Sequence, residues 1–507
     1  MNLNRSAFYN LILGALKMLL SGILSMICTR VIMLSYGSDF NGVNSTAAQF
    51  VSLLLIVEGG FTLATNVALL KPIAEHDVEY INGILAATHR KFKTVALLFL
   101  TIGVSGSFFY SMIINSDLPR SLIFSIFTML IIPYVVDFLF SAHYKALLQS
   151  VQKEYLINLV SLISTTISYS VTIIVAYNQC PMWMIRFVSM LCSTIANLCF
   201  VLYCKKRFKK LNLNVEPNYH AISGSKDVLI AQIGWTTYSS MPLLLISAMA
   251  SEGTLVASVY AVYNSIVSII KSLLTSISDA PRFGLGMLIN NDEKDHAYKT
   301  FLEYQLIVIG LSGFLLSVTL SLIIPFVKLY TSGVTDIDYV NYFIPVALIM
   351  NAFSQYGHIP SGQIIQMSGH FRLIRNIQLT KCIIMIPTFA IGAIFGGIYG
   401  ILLAYIACEV YVFFREIYFC YSKYFKRPIK NFIFQYIPNF LLMSALSVAG
   451  INIIPQMQNY LHFVLWGIIL VLVYGLLFLG LNLILHREIV VNTARRIKQL
   501  FKVNVKS

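Results

Sequence analysis

Fourteen separate apolar runs leave this 507-residue chain one environment in which to fold. An α-helix rises ~1.5 Å per residue, so about 20 apolar residues cross the ~30 Å hydrocarbon core of a bilayer. Inside that core each backbone N–H and C=O needs a partner, which a helix supplies from its own segment. The runs fall near residues 8–34, 47–70, 94–114, 121–145, 155–176, 182–203, 228–250, 255–277, 304–327, 340–365, 377–396, 398–420, 432–454 and 462–485. They predict an all-α, polytopic membrane protein with about 14 transmembrane helices. The first run is interrupted by Lys17 and followed by no small-residue cleavage site, so it is expected to stay as a membrane helix and not to be removed as a signal.

Charge is sparse, and its placement sets the topology. Of the 36 Lys and Arg residues, 29 lie at the termini and even-numbered connections, whereas the odd-numbered connections hold only Arg120 and Lys328. That asymmetry puts both termini and every basic connection in the cytoplasm. The formal net charge of +15 is then a topology signal with anionic lipid headgroups as neighbours, not a nucleic-acid footprint. Eight cysteines are scattered singly, without metal-ligand spacing, and read as small buried hydrophobes; no metal site is expected. The longest external connection, Lys328–Tyr339, is too short for a catalytic domain, and no GxxxxGK[ST], HExxH, CxxC or GxSxG sequence occurs. The chain is therefore read as a non-enzyme that works inside its helix bundle, with no bound cofactor.

Polar residues inside the apolar runs carry the functional signal. Asn10, Gly14, Lys17, Ser21, Ser25 and Cys28 recur at steps of three and four, which puts them on one helical face. A turn over Ser35–Asn44 is expected to join this helix to the second, so that the pair walls a polar cavity. A shift of 213 residues lays Ser38–Glu58 on Ser251–Lys271, with Ser38, Val43, Ser45, Ala48 and Ser52 matched by identical residues. The seventh run repeats the stripe with Gln232, Thr236, Ser239 and Ser247, and the eighth with Tyr260, Asn264, Ser268, Lys271, Thr275 and Asp279. Two six-helix lobes around a central cavity follow: residues 1–203, a basic cytoplasmic linker over 204–226, and residues 227–420. Residues 421–507 then form an accessory hairpin of helices 13 and 14 and a basic tail. Repeated halves with a site at their interface are a common transporter plan.

An ionisable group within a membrane helix is a functional candidate, since placing it against lipid costs ~2.5–3.5 kcal/mol on insertion scales. The cations Lys17, Arg30, Arg186 and Lys271 are candidates for an anionic substrate group, although snorkelling also accounts for those near helix ends. Arg282, three residues after Asp279, reads first as a local ion pair. The acids Glu58, Asp137 and Glu409 lie near mid-span and are candidates for proton or sodium coupling, or for structural pairs such as Glu58 with Lys17. His143 and Lys145 read as interfacial. Pro133, one turn from Asp137, and Pro242 are candidate hinges.

The stretch Arg30-Val-Ile-Met-Leu-Ser-Tyr-Gly37, the Phe40-Asn-Gly-Val43 that follows it, and Leu329-Tyr-Thr-Ser-Gly-Val-Thr-Asp336 with Tyr339 resemble the O-antigen and polysaccharide flippases of the multidrug/oligosaccharidyl-lipid/polysaccharide exporter superfamily. The resemblance covers nearly the whole chain in span layout, through short, degenerate motifs. It implies translocation of undecaprenyl-diphosphate-linked oligosaccharides from the cytoplasmic to the outer leaflet of a bacterial inner membrane. It also implies two lobes around a cationic lumen, H+ or Na+ coupling as in an antiporter, a place in O-antigen and lipopolysaccharide biosynthesis, and polysaccharide polymerase and chain-length proteins as partners. The family often shows twelve spans, whereas the fourteen counted here are closer to the related lipid II flippases. A drug or cation exporter of the same superfamily is the first alternative; it calls for an acidic cavity, while the spans here hold five basic residues against three acids. A membrane O-antigen polymerase is the second, and the short external loops speak against it.

Overall fold

The structure, a computed structural model, describes residues 3–58, 60–208, 211–222, 226–279, 285, 286, 288, 289, 294–493 and 495. Among them the chain is helix after helix, with no strand. The order is α1 (Leu3–Leu54), a 3-10 turn (Leu55–Glu58), α2 (Phe61–Glu75), α3 (Val78–Ile113), α4 (Arg120–Val136), a π-helical turn (Asp137–Ser141), α5 (Ala142–Ser150), α6 (Glu154–Tyr177) and α7 (Met182–Arg207). There follow α8 (Lys226–Met249), α9 (Gly253–Asp279), α10 (Lys294–Tyr330), α11 (Phe343–Met367), α12 (Phe371–Tyr418), a second π-helical turn (Phe419–Tyr424), α13 (Lys430–Ile453) and α14 (Tyr460–Leu485). Ten of these stretches are long and apolar enough to cross a membrane, so the chain is a multi-pass membrane protein. Two of the ten hold a pair of helices each. α1 breaks at Gly37 and α12 at Gly397, both with positive φ. Gly392 and Gly400 touch backbone to backbone across the second break, which makes it a tight helical hairpin. With α2 continuing the second part of α1, and α4 and α5 joined through the π turn, the described residues form fourteen legs. Arg282, Lys209, Lys210 and the tail beyond Arg495 lie outside the described residues.

The chain forms two compact units: Met1–Val259 with Gly333–Ile337, and Tyr260–Ser332 with Asp338–Ser507. The first takes in the linker and α8 as well as the first six spans. Its core packs α1 on α6, α3 on α4, and α7 on both α4 and α6, around Phe40, Phe50, Phe99, Phe127 and Ile131.

The turn expected over Ser35–Asn44 is replaced by a break at one residue, with helix on either side. Gly37 (φ 84°, ψ 172°) supplies a conformation that other residues reach only with strain. Ser38 then starts a fresh helical leg, and the Asp336 carboxylate caps it by accepting from the Ser38 N–H at 2.5 Å and its hydroxyl at 2.7 Å. The polar residues of the expected turn tie the first unit together. Asp39 accepts from the Ser116 hydroxyl, the Asp117 N–H and the Thr254 hydroxyl, and Asn41 donates to the Ser258 hydroxyl at 2.7 Å. Gly42 lies so near the Thr254 carbonyl that a Cβ there would sit 1.8 Å from it. The 213-residue echo thus relates two segments that touch.

In the second unit α10 is the hub, packed on α11, α13 and α14. The last two helices, expected as an accessory hairpin, are bound into it by buried amides. Gln305 donates to Gln435 at 2.8 Å and to Tyr421 at 2.9 Å, and Asn439 pairs with Asn482.

Candidate functional site

In the first unit, much of the polar stripe on α1 packs against another helix instead of standing open. Asn10 donates to the Gln152 carbonyl at 3.1 Å and accepts from the Tyr155 N–H at 2.6 Å. Gly14 faces the Asn158 side chain. Cys28 is part of the apolar core. Helical periodicity identified a shared face correctly, but that face is largely a helix–helix seam packed against α6. Lys17 sits in this seam, half-buried, with its ammonium donating to Asn158 Oδ1 at 3.3 Å. It does not pair with Glu58.

Glu58 and Asp137 each stand where a helix loses its regular hydrogen bonding. The second leg breaks just at Glu58: a 3-10 turn ends on it, and α2 restarts after Gly60, whose φ is 70°. The Thr62 hydroxyl donates to its carboxylate. Asp137 opens the π turn four residues after Pro133. Such turns free backbone carbonyls and re-aim side chains, and they recur at functional sites. Lys145, read from sequence as interfacial, instead reaches Asp137 at 2.6 Å. Both side chains are partly exposed, at 28% and 20%, although the Asp137 oxygen that meets Lys145 is itself buried. Glu58 lies within electrostatic reach of Asp137 and Lys145, and Lys17 within reach of Lys145 and Glu154. Five charged groups, from α1, the 3-10 turn, the π turn, α5 and α6, thus share one neighbourhood.

Arg186, on α7, is oriented by one residue. Its Nε donates to Asn44 Oδ1 at 2.7 Å, and a terminal N–H donates to the Asn44 carbonyl at 3.1 Å. Those two bonds use part of the guanidinium and leave further N–H groups in a fixed fork. Arg30 is half-buried on the first leg of α1.

In the second unit Lys271 is half-buried on α9, where Tyr356 donates to its backbone carbonyl at 2.5 Å. Glu409 and Lys381 lie within its electrostatic reach. Glu409 is enclosed. Lys381 Nζ donates to Glu409 Oε2 at 2.7 Å, and His358 Nε2 meets Glu409 Oε1 at 2.9 Å. The other ring nitrogen of His358 meets Glu416 Oε2 at 2.9 Å. His358 and Glu416 did not stand out in the sequence. His358 lies alone in an apolar run, and Glu416 adjoins the basic connection that begins at Arg415. The available signal was the i, i+7 spacing of Glu409 and Glu416, which puts both carboxylates on one helical face.

A sharp distinction runs through these cations. Lys145 and Lys381 are paired with carboxylates. Among the described residues, Lys17, Arg186 and Lys271 form no ion pair.

No protein-family profile matches the sequence, and no curated protein matches it. Solved structures do match. The lipid II flippase MurJ in an inward closed conformation aligns with a TM-score of 0.63 and 13% identity, over 94% of this chain and 100% of that one. An inward-facing multidrug resistance MATE family transporter of the MOP superfamily aligns at 0.60 and 11% identity, over 84% and 96%. The MATE multidrug transporter DinF-BH aligns at 0.57 and 13% identity, over 81% and 93%. At these identities the likeness is one of fold: this chain has the all-helical, polytopic fold of those transporters.

Proposed function

We propose that this chain is a transporter of the same superfamily that flips a lipid-linked oligosaccharide, carried on undecaprenyl diphosphate, from the cytoplasmic to the outer leaflet of a bacterial inner membrane. The observation that carries the reading is the set of three cations, Lys17, Arg186 and Lys271, that lie in membrane helices without a carboxylate partner among the described residues. A charge in a membrane helix is costly unless it is paired or solvated, and these half-buried cations, held only by neutral side chains or in the field of a carboxylate already paired, suit an anion from outside the protein. A diphosphate meets that need, and the Arg186 fork suits its oxygens. The lipid tail stays in the bilayer while the headgroup crosses. Exposed polar side chains on α8, Gln232 and Ser239, offer hydrogen bonds of the kind sugars take. A lipid II flippase shares the fold over its whole length, which supports a lipid-linked cargo. A drug or cation exporter fits less well, because a cationic cargo would be repelled by unpaired lysine and arginine. Alternating access between the two lobes, driven by H+ or Na+ at Glu58 and Asp137, completes the scheme, with the polymerase and chain-length proteins as downstream partners.

The test uses Lys17→Ala and Arg186→Ala, with protein level checked in membranes. A hydrogen bond to a charged group contributes ~1.5–3 kcal/mol, so losing one diphosphate contact is expected to slow flipping by about ten- to a hundredfold. Cells relying on either variant should accumulate lipid-linked glycan on the inner leaflet. Normal surface polysaccharide with both variants would reject the anionic-headgroup reading.

A further inference from the structure

We propose that His358, held between Glu409 and Glu416 and balanced by Lys381, is a proton-binding site that couples protonation to transport. The inference rests on the transport reading above and adds a residue and an ion to it.

An ionised carboxylate only accepts, and each ring nitrogen of His358 lies 2.9 Å from a carboxylate oxygen. A neutral imidazole has one donor and one bare lone pair. Its lone pair would face an acceptor, so the contact requires a further proton, on the ring or on the carboxyl it meets. With that proton the four residues carry two positive and two negative charges. Without it they carry a net negative charge where side-chain exposure is 1% for Lys381 and Glu409, 6% for His358 and 7% for Glu416. Burial of that kind makes an unbalanced charge costly. One exchangeable proton therefore decides whether the cluster is neutral.

The packing around it is built to hold those atoms close. Gly362, one turn after His358 on α11, gives room to Glu416: a Cβ there would sit 2.5 Å from Glu416 Oε2. Pro360 lies between them and removes a backbone donor from the same turn. Several elements present titratable groups to the cluster. α12 supplies Lys381, Glu409 and Glu416 with the Cys382 and Cys408 thiols beside them, and α9 supplies Lys271. The second π turn supplies the Cys420 thiol near Glu416. α13 supplies Tyr436, tilted against Phe413 and Phe353, and α10 supplies Tyr304, bonded to Gln363. Lys271 is half-buried while the four core members are buried. Its field favours the deprotonated, more negative cluster. An anion bound at Lys271 offsets that field and so favours proton binding, and linkage makes the effect reciprocal. The proton leaves as H+ to water, with no other bond made or broken.

The test compares wild type, His358→Gln, and the double variant His358→Gln/Glu416→Gln. The single variant keeps two carboxylates against one lysine; the double variant restores neutrality with no exchangeable proton. The first measurement is the unfolding temperature of purified protein across pH. Wild type should lose stability as rising pH strips the cluster of its proton. The single variant should be destabilised throughout, and the double variant should recover and lose that pH-dependent step. A double variant no more stable than the single one, or one that keeps the wild-type pH profile, overturns the proposal. The second measurement is flipping of a fluorescent undecaprenyl-diphosphate-linked disaccharide in proteoliposomes, with and without a pH gradient. The gradient should accelerate wild type more than the double variant, in which only Glu58 and Asp137 remain to couple; an equal response in both also overturns the proposal. Absence of flipping by wild type, alongside the expected unfolding behaviour, would sink the flippase reading and leave the proton site standing.

Discussion

Among the described residues each compact unit contains one short lysine–carboxylate pair, and the two pairs differ in almost everything except length. Lys145 and Asp137 meet at 2.6 Å, Lys381 and Glu409 at 2.7 Å. The first pair spans a π turn, is 28% and 20% exposed, and has Glu58 and Lys17 as charged neighbours. The second is 1% exposed on both sides and hydrogen-bonded onward to His358 and Glu416. An open pair in a broken helix can trade partners with an incoming ion or headgroup. A closed pair cannot, and changes state only by gaining or losing something as small as a proton. A lysine–carboxylate contact is thus partly exposed in one unit and sealed within a hydrogen-bonded cluster in the other.

Removing a lysine tests this contrast most severely in the closed pair. Lys381→Met leaves the Glu409 carboxylate buried without its cation, and breaking a buried pair in this way costs about 3–5 kcal/mol. The expected result is a large fall in unfolding temperature and in membrane yield. Adding Glu409→Gln should recover most of the loss, because the uncompensated charge is gone. If Lys381→Met alone unfolds like wild type, the second unit is not sealed and the contrast between the pairs disappears.

A smaller effect is expected from Gly362→Ala. The new methyl would collide with the Glu416 carboxylate and push it off His358. Overpacking of this sort costs ~1–3 kcal/mol. Gly14→Ala in the first unit is the matched control. Its Cβ would meet the Asn158 amide at 3.8 Å, an ordinary contact. In a helix interior, alanine is favoured over glycine by roughly 0.5–1 kcal/mol. The two substitutions should therefore move the unfolding temperature in opposite directions. Movement in the same direction would mean that the glycine at 362 does not make room for the carboxylate.

The sequence showed the helices well because hydrophobic runs are a direct physical demand of the bilayer. It showed which residues share a face, as with Asn10, Gly14 and Lys17, but not what covers the face. Periodicity reports rotation about one axis, while the identity of the neighbour, α6 here, depends on packing across about 140 residues of chain. The break at Glu58 had a visible cue in Gly59-Gly60, and glycine in mid-run weakens a helix. The Lys145–Asp137 pair was hidden because regular helical spacing does not bring residues eight apart together; the π turn changes the angle between them. His358 was hidden because a lone histidine in an apolar run has no local partner. Its two carboxylates lie 51 and 58 residues away.

The smallest stability change, and the finest test of the comparison, belongs to Lys145→Met. Its pair with Asp137 is shorter than the buried one, so distance alone would rank it as the stronger. Burial changes that ranking: a partly exposed pair contributes ~0.2–1 kcal/mol, less than is lost when a sealed pair is broken. The expected shift in unfolding temperature is correspondingly slight. Its functional effect should be larger, because Asp137 and Glu58 would lose the cation they share. Two carboxylates left together compete for one proton or one sodium ion. Flipping in proteoliposomes should then change its dependence on the sodium or pH gradient while the protein stays folded. A variant that is strongly destabilised would show the first unit's pair to be as structural as the second's. A variant that is stable and unchanged in gradient response would remove Glu58 and Asp137 from the coupling scheme, leaving the His358 cluster to carry it alone.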